Sequence, residues 1–251
     1  MTFQLVTDPF FYLVAAPAVL LLGISKSGFG VGFGSLAVPM MALAVTVPQA
    51  AAVLMPVLLV IDLLGLAALR KNFDRRLLAF LIPFGLLGVL LGALLFRQLD
   101  ARLVAAIVGV FTLLFLAQRL LFAPRAGRAP PPRWLGALLT TTSGFTSFLA
   151  HAGAPPISAY VIPLKLAPIV FAATMSYFFF IINLSKWVPY LWLGILEWQT
   201  FFTSLLLLPL APIGVWAGVY IARRINPALF YRLVYAGMLL TGSKLIWDGF
   251  H

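Results

Sequence analysis

The sequence predicts an all-α polytopic membrane protein made of two inverted repeats of about five helical elements each, with broken or re-entrant helices at the midplane. Three observations carry this expectation. The chain of 251 residues is 63% apolar and only 9% charged, with a mean hydropathy of +1.09, whereas a soluble domain carries about a quarter of charged residues. Its apolar blocks run to roughly 20 residues, which is the length of a membrane-crossing helix and about twice that of a barrel strand. A polar, glycine-rich interruption also occurs twice, at matching places in the two halves: Gly23 to Gly34 and Gly144 to Pro156. Each interruption lies between apolar segments too short to be ordinary lone spans. Non-helical backbone inside a bilayer needs protein or a wet cavity to satisfy its N–H and C=O groups. Two such interruptions in corresponding positions point to a transporter's binding site.

The elements follow in order. Apolar segments are expected at about Pro9 to Leu22, Ser35 to Ala44, Pro48 to Leu69, Leu77 to Phe96 and Leu103 to Phe122. This first repeat (1–122) is followed by a linker, 123–133, whose prolines and arginines forbid a buried helix. The second repeat (134–251) is expected at about Trp134 to Leu149, Ile157 to Leu164, Pro168 to Leu191, Thr200 to Ile221 and Ala228 to Trp247. The halves match in detail. Gly23 corresponds to Gly144, Gly32 to Gly153 and Asp62 to Asn183. The run Pro83-x4-Gly88-x3-Gly92-x4-Arg97 recurs as Pro209-x4-Gly214-x3-Gly218-x4-Arg223, and Asp100 falls opposite Asn226. Gly88/Gly92 and Gly214/Gly218 are G-x-x-x-G faces that let membrane helices approach closely.

Charge sets the orientation. The net charge of +11 would suggest nucleic acid in a soluble protein, but here most Lys and Arg sit in short loops, where they determine topology. The basic loop Arg70 to Arg76 and the linker with Arg125, Arg128 and Arg133 are expected to be cytoplasmic. The loop matching Arg70 to Arg76 in the second half, Trp192 to Gln199, carries Glu197 and no basic residue, so it is expected outside. Arg223-Arg224 is then expected inside and Arg97 to Arg102 outside, which gives the halves opposite orientations. Asp8 is the only charge before Lys26, so a cleaved signal peptide is not expected. Both termini are expected outside. The absence of cysteine excludes disulfides and thiolate metal sites.

The candidate binding residues cluster in the two interruptions. Lys26 is flanked by the hydroxyls of Ser25 and Ser27. A charge at the bilayer centre costs ~2.5–3.5 kcal/mol on insertion scales, which a wet cavity or a bound anion would offset. The backbone around Gly28, Gly30, Gly32 and Gly34 can present N–H groups, and a helix is expected to start near Ser35. In the second half Gly153 supplies a turn and Pro155 and Pro156 fit a helix's first turn. Two helix starts facing each other would form an anion cradle. His151 can donate to an oxyanion, carry a proton, or serve as a hydrogen-bonded structural residue. Asp62 can pair with Lys26, bind a coupling cation, or make a structural hydrogen bond, and Asn183 is its repeat mate. Lys186 and Lys244 lie toward helix ends and are expected to snorkel to the interface. Lys165 reads as an inside loop residue.

The pattern Gly-x-x-x-Ser-Gly-Phe-Gly-x-Gly-x-Gly ending at Gly34, followed by Pro39, together with the repeated half and the basic loop at Arg70 to Arg76, resembles the TauE/SafE family of sulfite and organosulfonate exporters. The likeness covers essentially the whole chain. The second half departs from it, with His151-Ala152-Gly153-Ala154-Pro155-Pro156 where such proteins often repeat a glycine-rich turn. The resemblance implies export of a small sulfur oxyanion, such as sulfite or sulfoacetate, across a bacterial inner membrane.

These readings combine into an alternating-access carrier with no cofactor and no metal, whose partners are a small anionic substrate and the bilayer. Homo-oligomerisation is left open. Each charge crossing ~100 mV is worth ~2.3 kcal/mol, so an anion leaving a negative interior moves downhill. An anion channel with the same site, or a carrier of another small anion, is the alternative. An intramembrane protease is not expected, because His-Glu-x-x-His and a second membrane aspartate are both missing.

Overall fold

A computed structural model describes residues 5–27, 33–69, 73–121, 131–222 and 227–251, all of them in helices or the turns between them. The linker arginines Arg125 and Arg128, the residues Arg70 and Lys71, and Arg223, Arg224 and Asn226 lie outside the described residues, as do Gly28, Gly30 and Gly32. The first half comprises α1 (Pro9–Ser27), a 3-10 turn (Phe33–Leu36), α2 (Ala37–Met41), α3 (Val47–Leu69), α4 (Arg75–Phe96) and α5 (Ala101–Leu121). The second half comprises α6 (Arg133–Ala150), α7 (Ala154–Val161), a 3-10 turn (Ile162–Leu164), α8 (Pro168–Trp192), α9 (Trp198–Leu207), α10 (Leu210–Ala222) and α11 (Pro227–Phe250).

Polar side chains start α1, α3, α4, α5 and α9. Asp8 accepts from Phe10 N at 2.9 Å, Asp74 from Arg76 N and Leu77 N, and Asp100 from Leu103 N at 2.6 Å. Glu197 and Thr200 form a reciprocal capping box on α9, and Thr46 pairs with Gln49 ahead of α3 in the same way. A carboxylate at a helix start satisfies orphan N–H groups and complements the dipole. Four of the chain's six acidic residues are used for this purpose. Among the described residues, five helices (α1, α3, α4, α5 and α8) are long and apolar enough to cross a membrane, and a sixth span results if α9 and α10 count as one helix bent by 45°. The exposed faces are apolar, as on α4, where Leu87, Leu90, Leu91 and Leu94 point outward.

Two sequence expectations are corrected at the interruptions. Helix α1 is continuous through Gly23 to Ser27, so Lys26 stands in its last turn and not in unwound chain, and the first segment is a full-length candidate span. Helix α6 likewise runs through Gly144 to Ala150, so that within the second interruption only 151–153 are non-helical before α7 begins. The matched prolines also behave differently. Pro83 sits inside a continuous α4, while Pro209 sits at the bend between α9 and α10. Proline removes one backbone donor and crowds the preceding turn, but α4 absorbs this without breaking.

The packing partners follow the repeat. α4 lies against α6 and α1 against α10, α3 lies against α9 and α4 against α8, and α3·α8 and α5·α11 are further major pairs. Exchanging α1 with α6, α3 with α8, α4 with α9–α10 and α5 with α11 maps each of these contacts onto another or onto itself. The glycines explain the closest approaches. A Cβ on Gly88 would strike the backbone of Thr141, Gly144 and Phe145, and a Cβ on Gly23 would strike the backbone of Gly214 and Val215 at 2.8 Å. These two crossings exchange under the same mapping, so the G-x-x-x-G faces join one half to the other.

Candidate functional site

The site is organised by the end of α6. His151 takes a left-handed conformation (φ 52°, ψ 22°) and caps the helix. Its N–H bonds to Ser147 O at 3.0 Å, and Ala152 N–H bonds to Thr146 O at 3.2 Å, which closes the helix as a C-terminal cap does. Hydroxyls on α6 satisfy the carbonyls of the turn: Ser143 Oγ donates to Gly153 O at 2.6 Å and Thr146 Oγ1 to Ala152 O at 3.0 Å. Helix α7 then starts at Ala154, with Pro155 and Pro156 in its first turn as expected. Those two prolines also remove two N–H donors from that helix start, which leaves it poorer in donors than an anion cradle needs. Helix α2, the other half of the expected cradle, is only five residues long and packs chiefly against α1, α3 and α11.

The structure supplies donors elsewhere. Lys186, on α8, is completely buried, which overturns the expectation that it snorkels. Its Nζ lies 3.0 Å from Ser147 O, 3.1 Å from Ser147 Oγ and 2.7 Å from His151 Nδ1. Three acceptors match the three N–H donors of an ammonium group. The other ring nitrogen of His151, Nε2, lies 2.8 Å from Ala51 O on α3. The consistent assignment is a neutral ring that donates from Nε2 and accepts at Nδ1. Tyr190, one turn along α8, donates to Phe148 O at 2.5 Å and braces the same helix end.

The second part of the cluster joins the halves. Lys26 forms an ion pair with Asp62 on α3, the first of the roles open to that carboxylate. Asp62 Oδ2 also accepts from Asn183 Nδ2 at 2.5 Å, so the repeat mates Asp62 and Asn183 touch. Asn183 and Lys186 lie on adjacent turns of α8 and link the two parts. The Asp62 side chain is 1% exposed and that of Lys26 26%, and Lys26 Nζ also sits 5.6 Å from the ring centroid of Phe179, near enough for a cation–π contact. Ser25 Oγ accepts from Gly34 N–H at 2.9 Å, which ties the end of the glycine-rich segment back to α1. The side chain of Ser27 lies outside the described residues.

The charges in this cluster do not balance. Asp8, Asp74, Asp100 and Glu197 cap helices, and Asp248 pairs with Lys244 at 2.6 Å on α11. Of the six carboxylates in the sequence, only Asp62 is left to meet the two cations Lys26 and Lys186. A buried charge without a counter-charge is costly, so the cluster is suited to an anion. Lys186 was the residue that sequence reading placed wrongly. Its place one turn from Asn183, the mate of an intramembrane Asp, was the available signal.

A cavity of about 210 Å³ opens between α5, α6, α7 and the turn 33–36, with Ser35, Thr112, Gln118, Thr142 and Thr146 among its lining. No charged side chain lines it. The hydroxyls of Thr112, Thr142 and Thr146 donate to carbonyls on their own helices or turn. It borders the α6–α7 turn through Thr146 and Ala152, whereas the cations reach that turn through Ser147 and His151. The charged side chains therefore gather in the cluster and not at this cavity. Among the described residues no three or more His, Cys, Asp or Glu side chains come together as metal ligands would.

The family model described as sulfite exporter TauE/SafE matches residues 15–245. The chain belongs to that family and is a membrane transporter. No curated protein and no solved structure matches it.

Proposed function

We propose that this member of the TauE/SafE sulfite exporter family carries a small sulfur oxyanion, sulfite or an organosulfonate, out of the cell by alternating access of two inverted repeats. One observation carries the reading: two cations, the buried Lys186 and the partly exposed Lys26, lie where α1, α3, α6 and α8 meet, with Asp62, paired to Lys26, as the one carboxylate in the cluster. The transported anion supplies the missing negative charge. A sulfonate or sulfite group offers acceptor oxygens, and the ammonium groups, the Asn183 amide and the Ser147 hydroxyl are its donors. Binding exchanges the internal acceptors of Lys186 for substrate oxygens. Of the other expected binding residues, Ser25, Gly34, Gly153 and Pro155 form walls of the pocket in this reading, while the Ser27 side chain and Gly28, Gly30 and Gly32 lie outside the described residues.

Several contacts support the inverted arrangement. The start of α9 lies beside the N-terminal segment, through Gln199 and Leu5 O and through Thr203 and Val6 N. The start of α6 lies beside α4, with Arg133 over the Phe80 ring. Arg97, just past α4, stacks on Trp192 at 4.0 Å, so α4 ends where α8 ends and α9 begins. Helices α1 and α6 therefore start at opposite ends. The end holding Arg75, Arg76 and Arg133 is the cytoplasmic one by the positive-inside rule. The N-terminus then faces out, with Glu197, Trp192 and Trp198, in a bacterial inner membrane.

Counterflow of radiolabelled sulfite and methanesulfonate in proteoliposomes tests the proposal. Saturable, substrate-accelerated exchange is the expected result. Ohmic single-channel steps would replace the carrier with a channel, and absence of flux for every sulfur oxyanion would defeat the reading.

A further inference from the structure

We infer that the site is matched to one negative charge, so that it takes sulfonates and hydrogensulfite as monoanions in preference to sulfite, sulfate or other dianions. The inference rests on the reading of the Lys26–Lys186 cluster as the anion site, and it narrows that reading to a charge class. The titratable groups facing His151 and one another, by element, are Lys26 from α1, Asp62 from α3, Lys186 and Tyr190 from α8, and His151 itself from the α6–α7 turn. His151 accepts from Lys186 and donates to Ala51 O, which is the bonding of a neutral ring. Tyr190 donates its phenol proton to Phe148 O, so it too is neutral. The three acceptors around Lys186 Nζ are the bonding of an ammonium group, so Lys26, Lys186 and Asp62 sum to one positive charge.

The repeat shows what sets this number. Asp62 and Asn183 are mates and touch each other. Two carboxylates there would cancel both lysines, and two amides would leave two positive charges. One Asp and one Asn leave a single positive charge. A monoanion neutralises it. A dianion would leave an uncompensated negative charge inside the protein, with the desolvation cost that follows.

Purified full-length protein in nanodiscs decides the matter with methanesulfonate and sulfate. These probes are similar in size and carry one and two charges throughout neutral pH. Wild-type protein is expected to bind methanesulfonate at least about tenfold more tightly than sulfate, a difference of about 1.4 kcal/mol. Asp62→Asn, which raises the fixed charge by one, should shift the preference toward sulfate, and Lys186→Met should lose methanesulfonate binding. Sulfite provides a test in wild-type protein alone, should a variant fail to fold. Its apparent affinity should rise as pH falls through neutrality and hydrogensulfite accumulates, while that of methanesulfonate stays flat. Equal or tighter binding of sulfate by wild type, or a flat sulfite profile, would overturn the charge match while leaving the anion site standing. Failure to bind any of these anions would instead remove the site itself.

Discussion

The two halves of the molecule share a scaffold and differ in charge. The register that aligns Gly23 with Gly144 and Asp62 with Asn183 also aligns Lys26 with Ser147 and Gly65 with Lys186. In the first half the cation stands on the first helix and glycine occupies the matching place on the third. In the second half the first helix offers the Ser147 hydroxyl, and the cation stands on the third. Lys186 contacts Ser147, the mate of Lys26. Each half thus contributes one ammonium group from an exchanged position, while only the first contributes a carboxylate. The comparison teaches that corresponding helix contacts build the frame, and that departures from the correspondence set the charge of the cluster.

Asp62→Ala should give the largest effect on this arrangement. It removes the partner of the partly exposed Lys26 and the acceptor for the buried Asn183 amide, and breaking a pair with one buried member costs up to about 3–5 kcal/mol, the figure for a fully buried pair. Thermal unfolding of the purified protein should show it as a large loss of stability. A change no greater than that of a surface substitution would mean that the cluster does not hold the halves together. The close glycine crossings come next. Gly88→Val and Gly23→Val each force a side chain into backbone, and overpacking costs typically about 1–3 kcal/mol. The two variants should destabilise to a similar degree, and tolerance of either one would break the equivalence of the crossings.

Tyr190→Phe is a finer probe of the asymmetric side. It deletes one buried hydrogen bond to Phe148 O, worth about 1 kcal/mol, and should lower the melting temperature modestly without changing anion selectivity. A selectivity change would bring the phenol into the binding site. Lys244→Ala should have the smallest effect. Its ion pair with Asp248 is exposed, exposed pairs contribute about 0–1 kcal/mol, and both stability and transport should stay near wild type. Loss of transport would extend the site onto α11.

Much of the frame was legible before the structure. Blocks of apolar residues, with proline and glycine at repeated spacings, located the helices, because these signals are local. The pairing of Lys26 with Asp62 was one of several roles open to that carboxylate. The extent of the interruptions was less legible. Glycine and serine permit a break without requiring one, and tertiary packing kept α1 helical to Ser27 and α6 helical to Ala150. The matched prolines make the same point, since Pro83 and Pro209 share a motif and only Pro209 sits at a bend.

Composition and the length of the apolar blocks by themselves determined that this chain is an all-helical membrane protein, because hydropathy, helix period and turn chemistry act over a few residues. The surroundings of Lys186 were decided only by the fold. Whether a lysine reaches the interface or lies buried against Ser147 and His151 depends on helices more than thirty residues away in sequence, and no local pattern carries that distance.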